Sequence, residues 1–269
     1  MNVLHHLLHA FCRAWPFERG RDFIMRHTFA GSFGDYLAAC GPWIRVREGW
    51  RMRANMGKDY SSRILKLYGE LEPTTGAFLL AHMPPDGVFL DIGANAGFFS
   101  LLLAKHFPKG RVIAFEPNPP IADLLAESIM ENDLADRIEL HRLAVSDQNA
   151  VLQFLVEESN SGHSRLAGGV SSASMQVEAV ILDEWLPPKL GEARVAVVKI
   201  DVEGAELRVL KGMRTLLEAH RPALVVEGYD EHLREFGDSL RALREWLAEA
   251  SYREIRPSDG NLYLVPATR

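Results

Sequence analysis

Five carboxylates stand where an apolar run gives way to a turn. They are Asp91 in VFLDIG, Glu116 in RVIAFEP, Asp201 and Glu203 in VAVVKIDVEG, and Glu227 in PALVVEG. An acid so placed sits at the end of a strand, and in alternating β-α sheets the strand ends are where ligands bind. Carboxylates there can accept hydrogen bonds from hydroxyls, pair with cations, or take a proton from a nucleophile. Asp91 also opens the turn Gly93-Ala94-Asn95-Ala96-Gly97-Phe98, which feeds an apolar helix. Strand, glycine turn and helix start are the parts of a nucleotide-binding unit.

Two phosphate-binding readings of the turn meet the wrong residues. A dinucleotide fold needs its middle glycine so that the backbone can approach a pyrophosphate, and here Asn95 takes that place and Phe98 the last one. A P-loop needs a Gly-Lys-Ser/Thr ending, which is absent. A bare strand–helix turn has no need of Asp91 and Asn95. A cofactor with an amino-acid tail and no pyrophosphate fits better, and S-adenosylmethionine (SAM) is one. Asp91 would take its ammonium, directly or through water. N–H groups at the helix start would take its carboxylate. Glu116 would accept both ribose hydroxyls, although NAD enzymes place an acid at the same point.

The elements that must position these residues follow from the pattern along the chain. Residues 1–75 read as mostly helical, with Leu4, Leu7, Leu8, Phe11 and Trp15 at helical spacing. That stretch is expected to be an N-terminal extension or cap, followed by a catalytic domain over 76–269. From TTGAFLLAHM (74–83) onward, helices and strands alternate. Strands are predicted at VFLDIG, RVIAFEP, IELHRLAV (138–145), VAVVKIDVEG and PALVVEG. AVLQFLVEE (150–158) and SMQVEAVILDEWL (174–186) read as further strands around a polar loop. AELRVLKGMRTLLEAH (205–220) reads as one helix, and the chain closes on a hairpin through SDGN. Such alternation implies right-handed crossovers and a mostly parallel sheet with helices on both faces.

The segments DIGANAGFFS, FEPNP, LAVSD, LDEW and KIDVEGAELRVLKGM, in this order, resemble the FkbM-type SAM-dependent methyltransferases over roughly residues 70–230. The resemblance implies an α/β, Rossmann-like class I methyltransferase fold: a seven-stranded sheet whose last strand is antiparallel. It implies methyl transfer from SAM, leaving S-adenosylhomocysteine, most often to a hydroxyl of a sugar or natural product. By the same resemblance Asp91, Gly93, Asn95, Gly97 and Phe98 lie along the methionine part. Glu116 binds ribose with Pro117 and Asn118 beside it, and Ala144 lies near adenine. Glu72, in LEP, matches a Glu-Pro that precedes the first strand in relatives.

Methyl transfer to an alcohol needs a proton acceptor, a service worth roughly 10²–10⁴-fold. Asp201 is the leading candidate for orienting or deprotonating the acceptor, with Glu203 and Glu227 as supports. Lys199 could instead pair with Asp201, and Glu203 could cap a helix. His232 and His163 are alternative bases. Metal dependence is open: Asp201, Glu227 and Asp230 are carboxylates of the kind Mg2+ favours. An NAD-dependent oxidoreductase and a non-catalytic SAM-fold module are the competing functions. N-methylation is a close variant.

The 269-residue length fits one α/β domain with an extension. A net charge of −6 gives no electrostatic footprint for nucleic acid. Two cysteines cannot build a disulfide framework, so a reducing, cytoplasmic setting is expected. No run of about 18 apolar residues is present to span a membrane. The apolar N-terminal helix leaves a homodimer open.

Overall fold

The structure, a computed structural model, describes residues 3–14, 32–54, 60–155, 165–166, 174–256 and 260–267. The N-terminal part contains α1 (Val3–Ala14), α2 (Ser32–Ala39), a hairpin of β1 (Trp43–Arg45) and β2 (Arg51–Arg53), and α3 (Tyr60–Tyr68). Then come α4 (Pro73–His82), β3 (Val88–Ile92), α5 (Phe98–His106), β4 (Arg111–Phe115), α6 (Pro119–Glu131) and β5 (Ile138–His141). Short strands follow: β6 (Ala144–Val145), β7 (Ala150–Leu155), β8 (Arg165–Leu166) and β9 (Ser174–Val180). Next are α7 (Leu182–Trp185), α8 (Pro187–Leu190), β10 (Val195–Ile200), α9 (Glu206–Lys211), α10 (Arg214–His220) and β11 (Ala223–Glu227). The chain closes with α11 (Asp230–Glu235), α12 (Leu240–Glu249), β12 (Tyr252–Arg256) and β13 (Asn261–Pro266).

The main sheet has seven strands in the order β12-β13-β11-β10-β3-β4-β5. Strands β10, β3, β4, β5 and β11 are parallel, and β13 runs antiparallel to both β11 and β12. Side chains alternate across the sheet as strand geometry requires. Phe89 of β3 joins the core shared with α4, α5 and α6, and Val88, Leu90 and Ile92 join the core under α9, α10 and α12. The β-α alternation therefore does what the sequence predicts. Its strand order reverses between β10 and β3, so the carboxyl ends of these strands flank a crevice.

Three expectations need correction. Residues 1–75, read as mostly helical, also contain a hairpin, in which WIR and RMR pair with Ile44 opposite Met52. Ile44 and Met52 point inward to the core, and the guanidinium groups of Arg51 and Arg53 lie 5.2 and 5.7 Å from the Trp43 ring centre. Alternation of arginine with apolar residues hides such a strand in a charged stretch. The second correction concerns LDEW, which forms α7 and not the end of a strand. Finally, the helix expected over 205–220 is two helices, α9 and α10. The cause of both lies in Asp183. Its backbone N–H donates to the Gly212 carbonyl at 3.0 Å, and its carboxylate accepts the N–H groups of Thr215 and Leu216 at 2.8 Å each. A carboxylate capping the first turn of α10 satisfies donors that a continuous helix would have turned inward. Asp183→Ala should therefore lose about 1–2 kcal/mol in urea unfolding; an unchanged midpoint would contradict this.

The chain leaves the main sheet after His141, and β6 begins a second sheet of order β6-β9-β7-β8. Most of the polar loop predicted between β7 and β9, His163 included, lies outside the described residues. Among the described residues no helix is long and apolar enough to cross a membrane.

Candidate active site

The turn after β3 is folded by its own backbone. Gly93 and Ala94 donate their N–H groups to the Phe115 carbonyl, both at 3.0 Å. Asn95 donates to Glu116 Oε2 at 2.9 Å, Ala96 to Asn95 Oδ1 at 2.7 Å, and Gly97 to the Ala94 carbonyl at 2.9 Å. Every N–H from Gly93 to Gly97 is thus taken up inside the protein. Gly93, at φ +77°, must be glycine: a Cβ there would lie 1.8 Å from the Asp201 carbonyl oxygen. Gly97 is the N-cap of α5, and Phe98 is buried, its ring centre 5.7 Å from that of Trp50 in the hairpin.

What the turn offers to a ligand is a set of acceptors. Asp91 is buried; its Oδ2 accepts from Ser100 Oγ at 2.6 Å, and its Oδ1 has no hydrogen-bond partner among the described residues. Glu116 is buried at the end of β4, and its Oε1 accepts the Asn118 N–H at 2.9 Å. Asn118, the N-cap of α6 just after Pro117, buries an Oδ1 that is likewise without a hydrogen bond among the described residues. Ala144 is buried in β6, paired with Ala179, and so belongs to the second sheet.

On the other side of β3 the acids gather around one buried cation. Lys199 Nζ, on β10, donates to Asp201 Oδ2 at 2.7 Å. Asp201, Asp91 and Glu72 all act to keep that ammonium charged against the cost of burying it. The pairing foreseen for Lys199 is therefore present, and Asp201 is held by it. Glu72 is the left-handed N-cap of α4; its Oε2 accepts from Thr75 Oγ1 at 2.9 Å and from Asn261 Nδ2 of β13 at 3.1 Å. Glu203 Oε2 lies 3.0 Å from His232 Nδ1, and Glu227 Oε2 lies 3.7 Å from the same nitrogen. Burial, then the charges of Asp201, Glu203 and Glu206, push the Glu227 carboxyl well above the usual range. Asp230 does not join this group: its oxygens accept from Leu240 N and Arg234 Nε, both at 2.8 Å. The set Asp201, Glu227 and Asp230 is thus not assembled.

Two contributors escaped the sequence reading. Ser100 lies one turn into α5, hidden in an apolar run. Glu206 is buried, and its Oε1 accepts the N–H groups of Val202 at 3.2 Å and Gly204 at 3.0 Å, shaping the loop that carries Asp201 and Glu203. Burial pushes both Glu206 and Glu116 up to about 7 against the hydrogen bonds they accept. An acid that holds its proton more tightly when folded adds stability below its ordinary value of 4.5, and loses it as pH rises through about 7. Glu206→Gln, which mimics the protonated form, should therefore lose less stability than the wild type between about pH 5 and about pH 7, by about 2 kcal/mol. Melting curves at the two pH values check this; equal losses would contradict it.

A seven-stranded sheet in this order, with one reversed strand and acids at the carboxyl ends of its central strands, defines the class I methyltransferase fold. Residues 91–254 match the sequence model of the methyltransferase FkbM domain, and the chain belongs to that family. It is 27% identical to methyltransferase sdnD of Sordaria araneosa over 52% of this chain and 65% of that one. It is 28% identical to the 2-O-methyltransferase NoeI of Sinorhizobium fredii over 61% of this chain and 72% of that one. A further relative is the hexuronic acid methyltransferase AglP of Haloferax volcanii, 31% identical over 65% of this chain and 64% of that one. The chain therefore spans just under two thirds of the lengths of sdnD and AglP. The crystal structure of an FkbM methyltransferase from Methylobacillus flagellatus superposes with a TM-score of 0.50 at 19% identity, covering 91% of this chain and 60% of that one, a likeness of fold.

Proposed function

We propose that the protein transfers a methyl group from SAM to a hydroxyl of a small polyhydroxylated acceptor, sugar-like in character. One observation carries the choice of cofactor. The turn has taken up its own N–H donors and presents buried acceptors, Asp91 Oδ1, Asn118 Oδ1 and the Glu116 carboxylate. A pyrophosphate needs donors and repels carboxylates, whereas an ammonium and ribose hydroxyls are themselves donors. In this reading Asp91 holds the ammonium, and Glu116, with Pro117 and Asn118 beside it, holds the ribose. Gly93, Asn95, Gly97 and Phe98 shape the methionine side, Ala144 borders the adenine side, and Glu72 backs the site from α4. The cofactor supplies a methyl group on a sulfonium, which is a good leaving group.

The remaining work belongs to the chain. Asp201, held by Lys199 at 2.7 Å, receives the acceptor's hydrogen bond and takes its proton as oxygen bonds to the methyl carbon. Glu203 and Glu227 border the same hydroxyl. Alignment of the oxygen with the methyl carbon supplies much of the rate. Relatives named as a 2-O-methyltransferase and a hexuronic acid methyltransferase support oxygen and sugar as the acceptor class. Acceptor selection falls to the N-terminal part, residues 1–75, which carries no cofactor residue but Glu72. The test is incubation with methyl-labelled SAM and a panel of sugars, polyols and amines, with products located by mass spectrometry. Label on a hydroxyl oxygen is expected; label confined to nitrogen would replace the reading with N-methylation, and no label on any acceptor would favour a binding module.

A further inference from the structure

Three potential metal ligands meet where β10, β11 and α11 converge. Glu203 Oε2, Glu227 Oε2 and His232 Nδ1 all lie within 4.8 Å of one another. The two distances to the imidazole nitrogen are 3.0 and 3.7 Å. Ligands about 2.1 Å from one ion stand about 3.0 Å apart at a right angle and about 3.4 Å apart in a tetrahedron. The two distances lie near these values, and the third, between the carboxylate oxygens, lies within 4.8 Å. Glu227 Oε2 is buried and accepts no hydrogen bond among the described residues.

Charge counting points the same way. Lys199 is already engaged by Asp201. Glu203 and Glu227 each bring a carboxylate to the cluster, and His232 brings an imidazole nitrogen. A divalent cation neutralises both carboxylates and leaves the imidazole neutral, the form in which histidine ligates. We propose that Glu203, Glu227 and His232 form a divalent cation site beside Asp201, selective for a transition-metal ion of the Mn2+ or Zn2+ kind. Mixed nitrogen and oxygen ligands suit these ions better than Mg2+, which prefers oxygen throughout. The site replaces the set containing Asp230, whose carboxylate is engaged on α12 and Arg234. On the methyl-transfer reading, the ion would take the acceptor oxygen and lower the pKa of its hydroxyl before Asp201 receives the proton. Metal binding itself does not depend on that reading.

The experiment is calorimetric titration of the chelator-treated, desalted full chain with MnCl2, ZnCl2 and MgCl2, repeated on Glu227→Gln and on His232→Asn. One ion per chain is expected, with Mg2+ weaker than the best transition ion by about tenfold or more. Each substitution should weaken binding by about tenfold or more without changing the far-ultraviolet circular dichroism. Should a variant fail to fold, Co2+ absorption on the wild type carries the test, since nitrogen and oxygen ligands give visible d–d bands without a thiolate charge-transfer band. Absence of binding by the wild type overturns the site. So does binding unchanged in both variants, which would place the ion elsewhere, for example at the histidines of α1. SAM is titrated into the same samples. In the wild type, absence of ion binding with SAM binding kept sinks the metal site alone, and ion binding without SAM binding sinks the cofactor assignment alone.

Discussion

Glu116→Ala should weaken SAM binding by about 100-fold or more. Two hydrogen bonds from ribose hydroxyls to a buried carboxylate are worth about 1.5–3 kcal/mol each, and about 2.7 kcal/mol is already a factor of about 100. The substitution also removes the acceptor for the N–H groups of Asn95 and Asn118, both 2.9 Å from it. The turn that shapes the methionine side therefore loosens together with the ribose contact. Glu116→Gln separates the two effects. It keeps the side chain's length and one acceptor oxygen but turns the other into a donor facing a backbone N–H, so the loss should be of similar size with less unfolding. Calorimetric titration of both variants checks this. Wild-type affinity in Glu116→Ala would remove Glu116 from the ribose.

Gly93→Ala should destabilise the fold by about 3 kcal/mol or more, with loss of soluble protein the simplest sign. A Cβ at this position would stand 1.8 Å from the Asp201 carbonyl oxygen, at a backbone φ of +77°. Neither the β3 turn nor the β10 end can retreat, because the Asp201 N–H is bonded to the Ile92 carbonyl at 3.0 Å. Gly191 is the control. Its φ is +58° and its ψ −128°, but nothing lies within 4 Å of its missing Cβ, so Gly191→Ala should cost backbone strain alone, about 1–3 kcal/mol, and less than Gly93→Ala. Urea unfolding of the two variants measures the difference; similar midpoints would show that the approach of β10 to the turn does not constrain the fold.

The parts of this architecture legible in the sequence are those where an apolar run ends in an acid. Strands β3, β4, β10 and β11 are each fixed by a buried pattern and a carboxylate or glycine stop, and β12 and β13 pair as the closing hairpin, whose expected SDGN turn lies partly outside the described residues. The β1–β2 hairpin was not legible because its outward positions are arginines that bind Glu127, Glu131 and the Trp43 ring, partners known only once the chain has folded. The break between α9 and α10 depends on Asp183, some 30 residues earlier in the sequence, so no local pattern announces it. The strand-end acids could be named from sequence, but how they group could not. Lys199 alternates inward on a buried strand, where only three-dimensional packing reveals three carboxylates around it. Asp230 stands three residues after Glu227 and yet is drawn away to cap α12, and His232 lies beside Glu203 and Glu227 instead.

The cofactor assignment is tested most directly by calorimetric titration of the wild-type chain with SAM, S-adenosylhomocysteine and NAD at one pH and salt concentration. The acceptor-lined turn predicts one-to-one binding of both adenosyl compounds and no heat from NAD. Binding of NAD with no response to SAM would contradict the account at its centre, because the turn would then have to receive a pyrophosphate with N–H groups that the structure has already engaged.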